Sequence, residues 1–160
     1  MKREDLIYAA CVIDCEGSIG IGDQRTPYKG RNPEHFGKIY LNYRLFVSTS
    51  MVDSVIVPWL ARTFKLGSSC HSPHPHGGQD INRWTLSTAD GEKFLRMILP
   101  YLKLKYPQAK IALRFCWLKH HANRTRNRGV RANEPIRDSI QRQFAHCKRQ
   151  LMRLHTRSRV

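Results

Sequence analysis

Glu16 is a lone carboxylate set where an apolar, small-residue stretch changes its period, in LIYAACVIDCEGSIGI from Leu6 to Ile21. A carboxylate oxygen is a hard ligand for a divalent cation, and a cation held there can lower the pKa of a bound water beside a phosphate. In a chain with a formal charge of +16, this reads as a divalent-metal site aimed at a nucleic acid. A second group with chemical potential is Cys70, His71, His74 and His76, which has the ligand types of zinc. It lacks a distant second pair such as CxxC, and Pro73 and Pro75 hold its backbone extended, so the side chains need not converge. Histidines touching phosphate or bases are preferred to zinc for that segment.

The elements that must position Glu16 are a short helix and a strand. Leu6, Ile7, Ala10, Val12 and Ile13 suit a helix, and Ala9, Ala10 and Cys11 leave its packed face flat enough for a second helix to approach. Gly17 lets the chain turn out of the helix. Ile19 and Ile21, alternating with Gly20 and Gly22, continue as a strand to Gln24.

The chain has 160 residues, enough for one domain with a real core, here expected to span 1–160 with the core at about 5–120. Its 28 Lys and Arg against 12 Asp and Glu would repel one another unless a polyanion neutralised them, so a nucleic acid is the expected partner. A membrane is not expected, because no run of 18 apolar residues occurs. Asp5 and Asp14 bracket an N-terminal apolar run too short for a secretory leader, so an intracellular location (cytoplasm, nucleoid or organelle) is expected. Five cysteines, at 11, 15, 70, 116 and 147, mostly within apolar patterns, suit reduced, buried thiols.

The nonapeptide AACVIDCEG at Ala9 to Gly17 resembles the LAGLIDADG motif of homing endonucleases, with Ala9, Cys11 and Cys15 standing where the motif has Leu, Gly and Ala or Gly. A second segment, LPYLKLKYPQA at Leu99 to Ala109, resembles the family's later helix end and Leu-Lys-Leu-Lys run, and the intervening elements follow the family's order. The resemblance implies that the motif helix lies at a dimer interface and that Glu16 binds catalytic metal. It further implies that Cys15 offers its backbone carbonyl to the metal, that Asp14 helps close the turn, and that Lys105 stands near the scissile phosphate. Mg²⁺ is the implied cofactor, with Mn²⁺ or Ca²⁺ as replacements in non-cleaving complexes. Asp90-Gly91 imitates a second motif copy, but the residues before it alternate like a strand. One copy supplies one acid, so a homodimer through the motif helix is expected.

The remaining elements follow in order. Arg25 to Gly37 reads as a long hairpin tip. Lys38 to Ser48 alternates, with Ile39, Leu41, Tyr43, Leu45 and Val47 on the buried face and Lys38, Tyr40, Asn42, Arg44, Phe46 and Ser48 on the other. A helix within Ser50 to Leu66 carries the stripe Val55, Ile56, Trp59, Leu60 and Phe64 and starts shortly before Pro58. Strands are predicted for Gly67 to His76 and Gln79 to Ser87, then a helix from Glu92 to Leu102 with Asp90 as its N-cap. Pro107 to His120 reads as a helix, with Ile111, Leu113, Phe115, Trp117 and Leu118 apolar. Asn123 to Arg131 reads as a basic loop. A last helix opening at Asn133-Glu-Pro carries the stripe Ile136, Ile140, Phe144, Cys147, Leu151 and Leu154 opposite Arg137, Arg142, Lys148, Arg149 and Arg153; Thr156 to Val160 is expected to fray.

The fold class is therefore α+β, an αββαββα core with one antiparallel sheet packed on helices and C-terminal helices added. The expected function is site-specific double-strand DNA cleavage at a long, near-palindromic site, with Glu16 and Lys105 catalytic, and the resemblance implies an intron-encoded protein. Ser18, Gln24, Lys38, Tyr40, Asn42, Arg44 and Arg83 are the candidate DNA contacts. Two alternatives stay open: an RNA-splicing maturase on the same scaffold, holding intron RNA, and a non-catalytic DNA-binding regulator.

Overall fold

Among the described residues the amphipathic segments assemble into one antiparallel sheet of four strands, in which the second and fourth along the chain lie at the centre and the first and third at the edges, with five helices. The structure, a computed structural model, describes residues 1–27, 33–73, 79–127 and 138–157. The elements are α1 (Arg3–Glu16), β1 (Gly17–Pro27), β2 (Ile39–Met51), α2 (Ile56–Phe64), β3 (Ser68–Ser72), β4 (Ile81–Leu86), α3 (Thr88–Ile98), α4 (Tyr106–Asn127) and α5 (Asp138–Arg157), with short 3-10 turns at Pro33–His35 and Leu99–Tyr101. The α+β architecture expected from the sequence is thus present.

One sheet face is dry. Ile19 and Ile21 of β1, Tyr43, Leu45 and Val47 of β2, and Trp84 and Leu86 of β4 are buried against the apolar sides of the helices. Because strand side chains alternate, the same three strands present Ser18, Gln24, Asn42, Arg44 and Arg83 on the other face. At the centre of the core, Phe94 of α3 meets Trp84 edge-on at 5.0 Å and Phe64 at 4.9 Å, geometries worth roughly 0.5–1.5 kcal/mol each beyond area burial. The Trp84 indole N–H donates to the Leu66 carbonyl at 2.9 Å, so the largest core side chain leaves no polar atom unpaired. Phe144 of α5 reaches Phe115 and Tyr43, which fixes the last helix on the sheet.

Several elements differ from the sequence expectation. The β2 strand extends to Met51, so Ser50 lies in the sheet, and Asp53 starts α2 by accepting the Val55 and Ile56 N–H groups at 2.7 and 2.9 Å. Pro58 then falls in the first turn of α2, where its missing N–H costs nothing. The helix starts shortly before Pro58, as expected, so Val55 of the expected stripe precedes it and is exposed, while Val57 is buried. Helix α3 begins at Thr88 with Ser87 as its N-cap, so Asp90 is not the cap; its carboxylate instead accepts the Gly67 N–H at 3.1 Å. Helix α4 runs on to Asn127 through the first part of the expected basic loop.

Ile39 and Leu41 lie on the predicted side of β2 but are exposed, because that end of the strand projects past the helices. Cys11, Cys15 and Cys70 are exposed, against the expectation of mostly buried thiols, while Cys116 and Cys147 are buried and burial pushes the Cys116 thiol up to about 12. The middle of the expected hairpin tip, His74, His76, residues 128–137 including the Asn133-Glu-Pro start, Ile136 and Arg137, and residues 158–160 lie outside the described residues. Among the described residues no helix is long and apolar enough to cross a membrane.

Gly67 holds φ at +69°, and a Cβ there would lie 2.3 Å from the Thr85 carbonyl oxygen. Gly67→Ala therefore combines left-handed strain with a backbone clash and should lower stability by about 1–3 kcal/mol, read as a lower denaturant midpoint in equilibrium unfolding.

Candidate metal and nucleic-acid site

Helix α1 buries Ala9, Ala10, Val12 and Ile13 and ends at Glu16, where β1 starts without a loop. The junction is tight. Gly17 has φ −79° and ψ 161°, so its freedom to adopt a left-handed turn is not used, contrary to the sequence expectation. Glycine is required there for space: a Cβ would lie 2.7 Å from both Cα and O of Ile13.

Asp14 fixes this helix end to a distant part of the chain. Its buried carboxylate accepts the backbone N–H of Lys103 at 2.7 Å and of Lys105 at 2.8 Å. The Lys105 ammonium returns to the helix, donating to the carbonyls of Ile13 at 2.8 Å and Asp14 at 2.5 Å. The Ile13 carbonyl already accepts the Gly17 N–H, so the ammonium is its second partner; the Asp14 carbonyl would otherwise be an orphan of the helix C-terminus, and a cation there also meets the negative end of the helix dipole. Burial pushes the Lys105 pKa below the usual lysine range, against the opposing pull of Asp14, Cys15 and Glu16.

Around this junction lies an open cleft of about 730 Å³ lined by Asp14, Cys15, Gly17, Ser18, Leu104, Lys105, Gln108 and His155. Glu16 is not among its lining residues; it ends the helix exposed to solvent, close enough to Lys105 to influence its charge. The Glu16 carbonyl accepts the Thr49 hydroxyl at 3.5 Å, and those of Ile13 and Asp14 are taken by Lys105, so the Cys15 carbonyl is the helix-end oxygen with no such bond among the described residues. An exposed carboxylate beside a spare carbonyl is a pair of hard oxygen donors, which fits Mg²⁺ or Ca²⁺.

The candidate DNA contacts gather on the outer sheet face. Ser18 pairs with Ser48, Gln24 with Asn42, and Arg83 with Ser50 across neighbouring strands. Asn42 donates to Thr26 at 3.1 Å and the Arg83 Nε donates to Ser50 at 3.1 Å, which orients both side chains along the surface. Arg44 and Tyr40 occupy the same face, and Lys38 is exposed just ahead of the strand. Phe46 lies flat over Gly20, where a Cβ would come within 2.1 Å of its ring. The zinc-like cluster does not assemble within the described residues: Cys70 and His71 project to opposite faces of β3, and His71 pairs with Asn82 and Asp80. On α5, Lys148 pairs with the partly exposed Asp23 carboxylate, and Arg142, Arg149 and Arg153 are exposed.

The sequence did not point to Gln108, Thr49 or His155 as neighbours of the site. For His155 a signal existed: it lies four residues past buried Leu151, on the same helical row.

This arrangement, with a motif helix feeding the first strand of a basic four-stranded sheet, is the fold of the LAGLIDADG homing endonucleases. Among solved structures, the chain is similar to the homing endonuclease I-CvuI in complex with the I-CreI target (TM-score 0.65, 15% identity, covering 95% of this chain and 82% of that one). It is similar also to the archaeal intron-encoded homing endonuclease I-Vdi141I complexed with DNA (TM-score 0.64, 10% identity, 94% and 84%). Likewise it matches the LAGLIDADG homing endonuclease I-GzeII in complex with its DNA target (TM-score 0.61, 11% identity), covering 89% of this chain and 43% of that longer one. No protein-family model and no curated protein sequence matches the chain.

Asp14→Asn replaces one of two acceptor oxygens by an N–H₂ that faces a backbone N–H. It should cost about 1.5–3 kcal/mol, and amide hydrogen exchange at Lys103 and Lys105 should accelerate more than exchange in the sheet core.

Proposed function

We propose that the protein is a site-specific, divalent-metal-dependent DNA endonuclease that acts as a homodimer. The observation that carries this is the placement of Glu16: an exposed carboxylate at the end of α1, beside Lys105, at one edge of a polar and basic sheet face. The structural neighbours support it, since I-CvuI, I-Vdi141I and I-GzeII are homing endonucleases solved with DNA, and I-CvuI with Mg or Ca present. Intron encoding is proposed on the same footing, from I-Vdi141I.

The 13-residue β2 strand extends about 43 Å at roughly 3.3 Å per residue, the advance of about a dozen base pairs. Its side chains Arg44 and Asn42, with Arg83 and Gln24 beside them, have the donor and acceptor groups that read base edges in a major groove. One protomer then reads a half-site, and two make a long near-palindromic one.

Dimerisation is supported by the outer side of α1. Ile7 (46% exposed), Tyr8 (47% exposed), Cys11 and Cys15 form an uncovered, largely apolar stripe at three- and four-residue spacing. Packing this stripe on its symmetry mate brings the two Glu16 side chains together at the bottom of the paired helices. A Mg²⁺ ion, when bound, would lower the pKa of a water and offset phosphate charge. Glu16 and the Cys15 carbonyl would hold it, and Lys105, with two of its three N–H groups on helix carbonyls, has one left for the scissile phosphate. Fixing that ammonium in place beforehand avoids reorganisation during the reaction.

Purified protein incubated with Mg²⁺ and a library of random duplexes should yield a single family of cut ends. Binding without cutting would favour a DNA-binding regulator, and binding of structured RNA alone a maturase. Glu16→Gln should keep affinity for the recovered duplex within about threefold while lowering single-turnover cleavage by 10³-fold or more; unimpaired cutting would remove Glu16 from the chemistry. Ile7→Glu should convert dimers to monomers in sedimentation and abolish double-strand cutting, and a dimer that survives it must use another face.

A further inference from the structure

Helix α5 is anchored along one side by Phe144, Cys147 and Leu151, all buried, and by Gln141, whose amide donates to the Leu41 carbonyl at 3.0 Å. That row continues one turn further to His155, where the supporting core ends and the cleft beside Lys105 begins. An imidazole on this row is there half-buried and lines a polar cavity. The cleft contains a second anomaly. Gln108 is only 4% exposed, and among the described residues its Oε1 has no hydrogen-bond partner. A buried acceptor without a partner costs about 1–3 kcal/mol unless a donor arrives, so its presence marks a place shaped to receive one. Lys105 needs such assistance, because two of its donors are committed to the Ile13 and Asp14 carbonyls.

We propose that His155 is a phosphate-contacting residue of the cleavage site, donating an imidazole N–H to a non-bridging oxygen of the phosphate that Lys105 also serves, with the Gln108 oxygen accepting from a water held beside it. This deepens the nuclease function proposed above and rests on it. A neutral imidazole suffices, since its protonated ring nitrogen is a donor in either charge state. The groups that share the cleft with His155 are the Asp14 carboxylate and Cys15 thiol of α1, Ser18 of β1, and Lys105 and Gln108 around the start of α4; Glu16 stands just outside. Ser18 is on the DNA-facing side of β1, so the cleft opens where a backbone lying on the sheet would pass. The C-terminal helix would in this way add a side chain to the reaction centre rather than serve only as core and charge.

The test uses the 160-residue protein, the duplex recovered from the library, single-turnover cleavage in Mg²⁺ and affinity in Ca²⁺. His155→Ala should slow cleavage about 10²-fold, the loss typical of one donor to developing negative charge, with affinity changed less than about threefold and the melting temperature kept. His155→Gln, which retains an amide N–H donor, should recover at least tenfold of that loss. Cleavage by His155→Ala within threefold of wild type would overturn the proposal, as would a His155→Gln rate as low as that of His155→Ala. If His155→Ala fails to fold, the wild-type imidazole resonances decide: the His155 signal should shift when uncleaved duplex is added in Ca²⁺, and an unmoved signal overturns the assignment. A wild-type protein that cuts no duplex is a separate failure, that of the nuclease function itself, and is seen before any variant is made.

Discussion

The site depends on one buried carboxylate. Asp14 accepts two backbone N–H groups from residues 89 and 91 positions away in sequence, which joins the end of α1 to the segment leading into α4. Charge-assisted bonds of this kind are about twice as strong as neutral ones, and both act on a side chain that is almost fully enclosed. The Lys105 ammonium then closes the loop by binding the helix carbonyls. Three groups with separate electrostatic needs, a buried anion, a partly desolvated cation and the negative end of a helix, satisfy one another. The orientation of Glu16 follows from that block.

The same block links the site to the sheet. Because β1 begins at the residue after Glu16, there is no connecting loop to absorb motion between the carboxylate and Ser18 on the outer face. The cost of a direct junction is crowding, and glycine at position 17 is the residue that the Ile13 backbone leaves room for. The sheet itself separates functions by pleat alone. Its inner residues hold the helices, and its outer residues are mostly polar or cationic, with Ile81 and Phe46, whose ring covers Gly20, as apolar members. That leaves a smooth surface at the point where a groove would be followed most closely.

Exposure complements this separation. The outer stripe of α1, with Ile7, Tyr8, Cys11 and Cys15, is apolar surface that the chain does not cover for itself, while Tyr8 is steadied by an edge contact with Trp59 at 5.0 Å. Cysteines at positions 11 and 15, slightly larger than the glycine and alanine of the motif they resemble, still present a narrow ridge. Desolvation and the neighbouring Cys11 thiol raise the Cys15 pKa, which disfavours its thiolate.

Much was legible in the chain because it is local. The alternation of β2, the apolar row of α5, the motif at Ala9 to Gly17 and the Leu-Lys-Leu-Lys segment are patterns of period two, of helical period, or of short fixed order, and the structure keeps all four. Where local cues competed, they failed: Asp90 looked like a cap, yet its oxygen goes to Gly67 across the fold, and Ile39 and Leu41 had the right parity but stay exposed. The sequence by itself determined which faces are apolar, where the acid sits and how strongly the surface is charged. Only the tertiary structure decided that Asp14 reaches Lys103 and Lys105, that Lys105 spends two donors on a helix end, and that His155 and Gln108 share the cleft. Those are contacts between residues far apart in the chain, and no periodicity encodes which distant group fills a given hydrogen-bonding or packing vacancy.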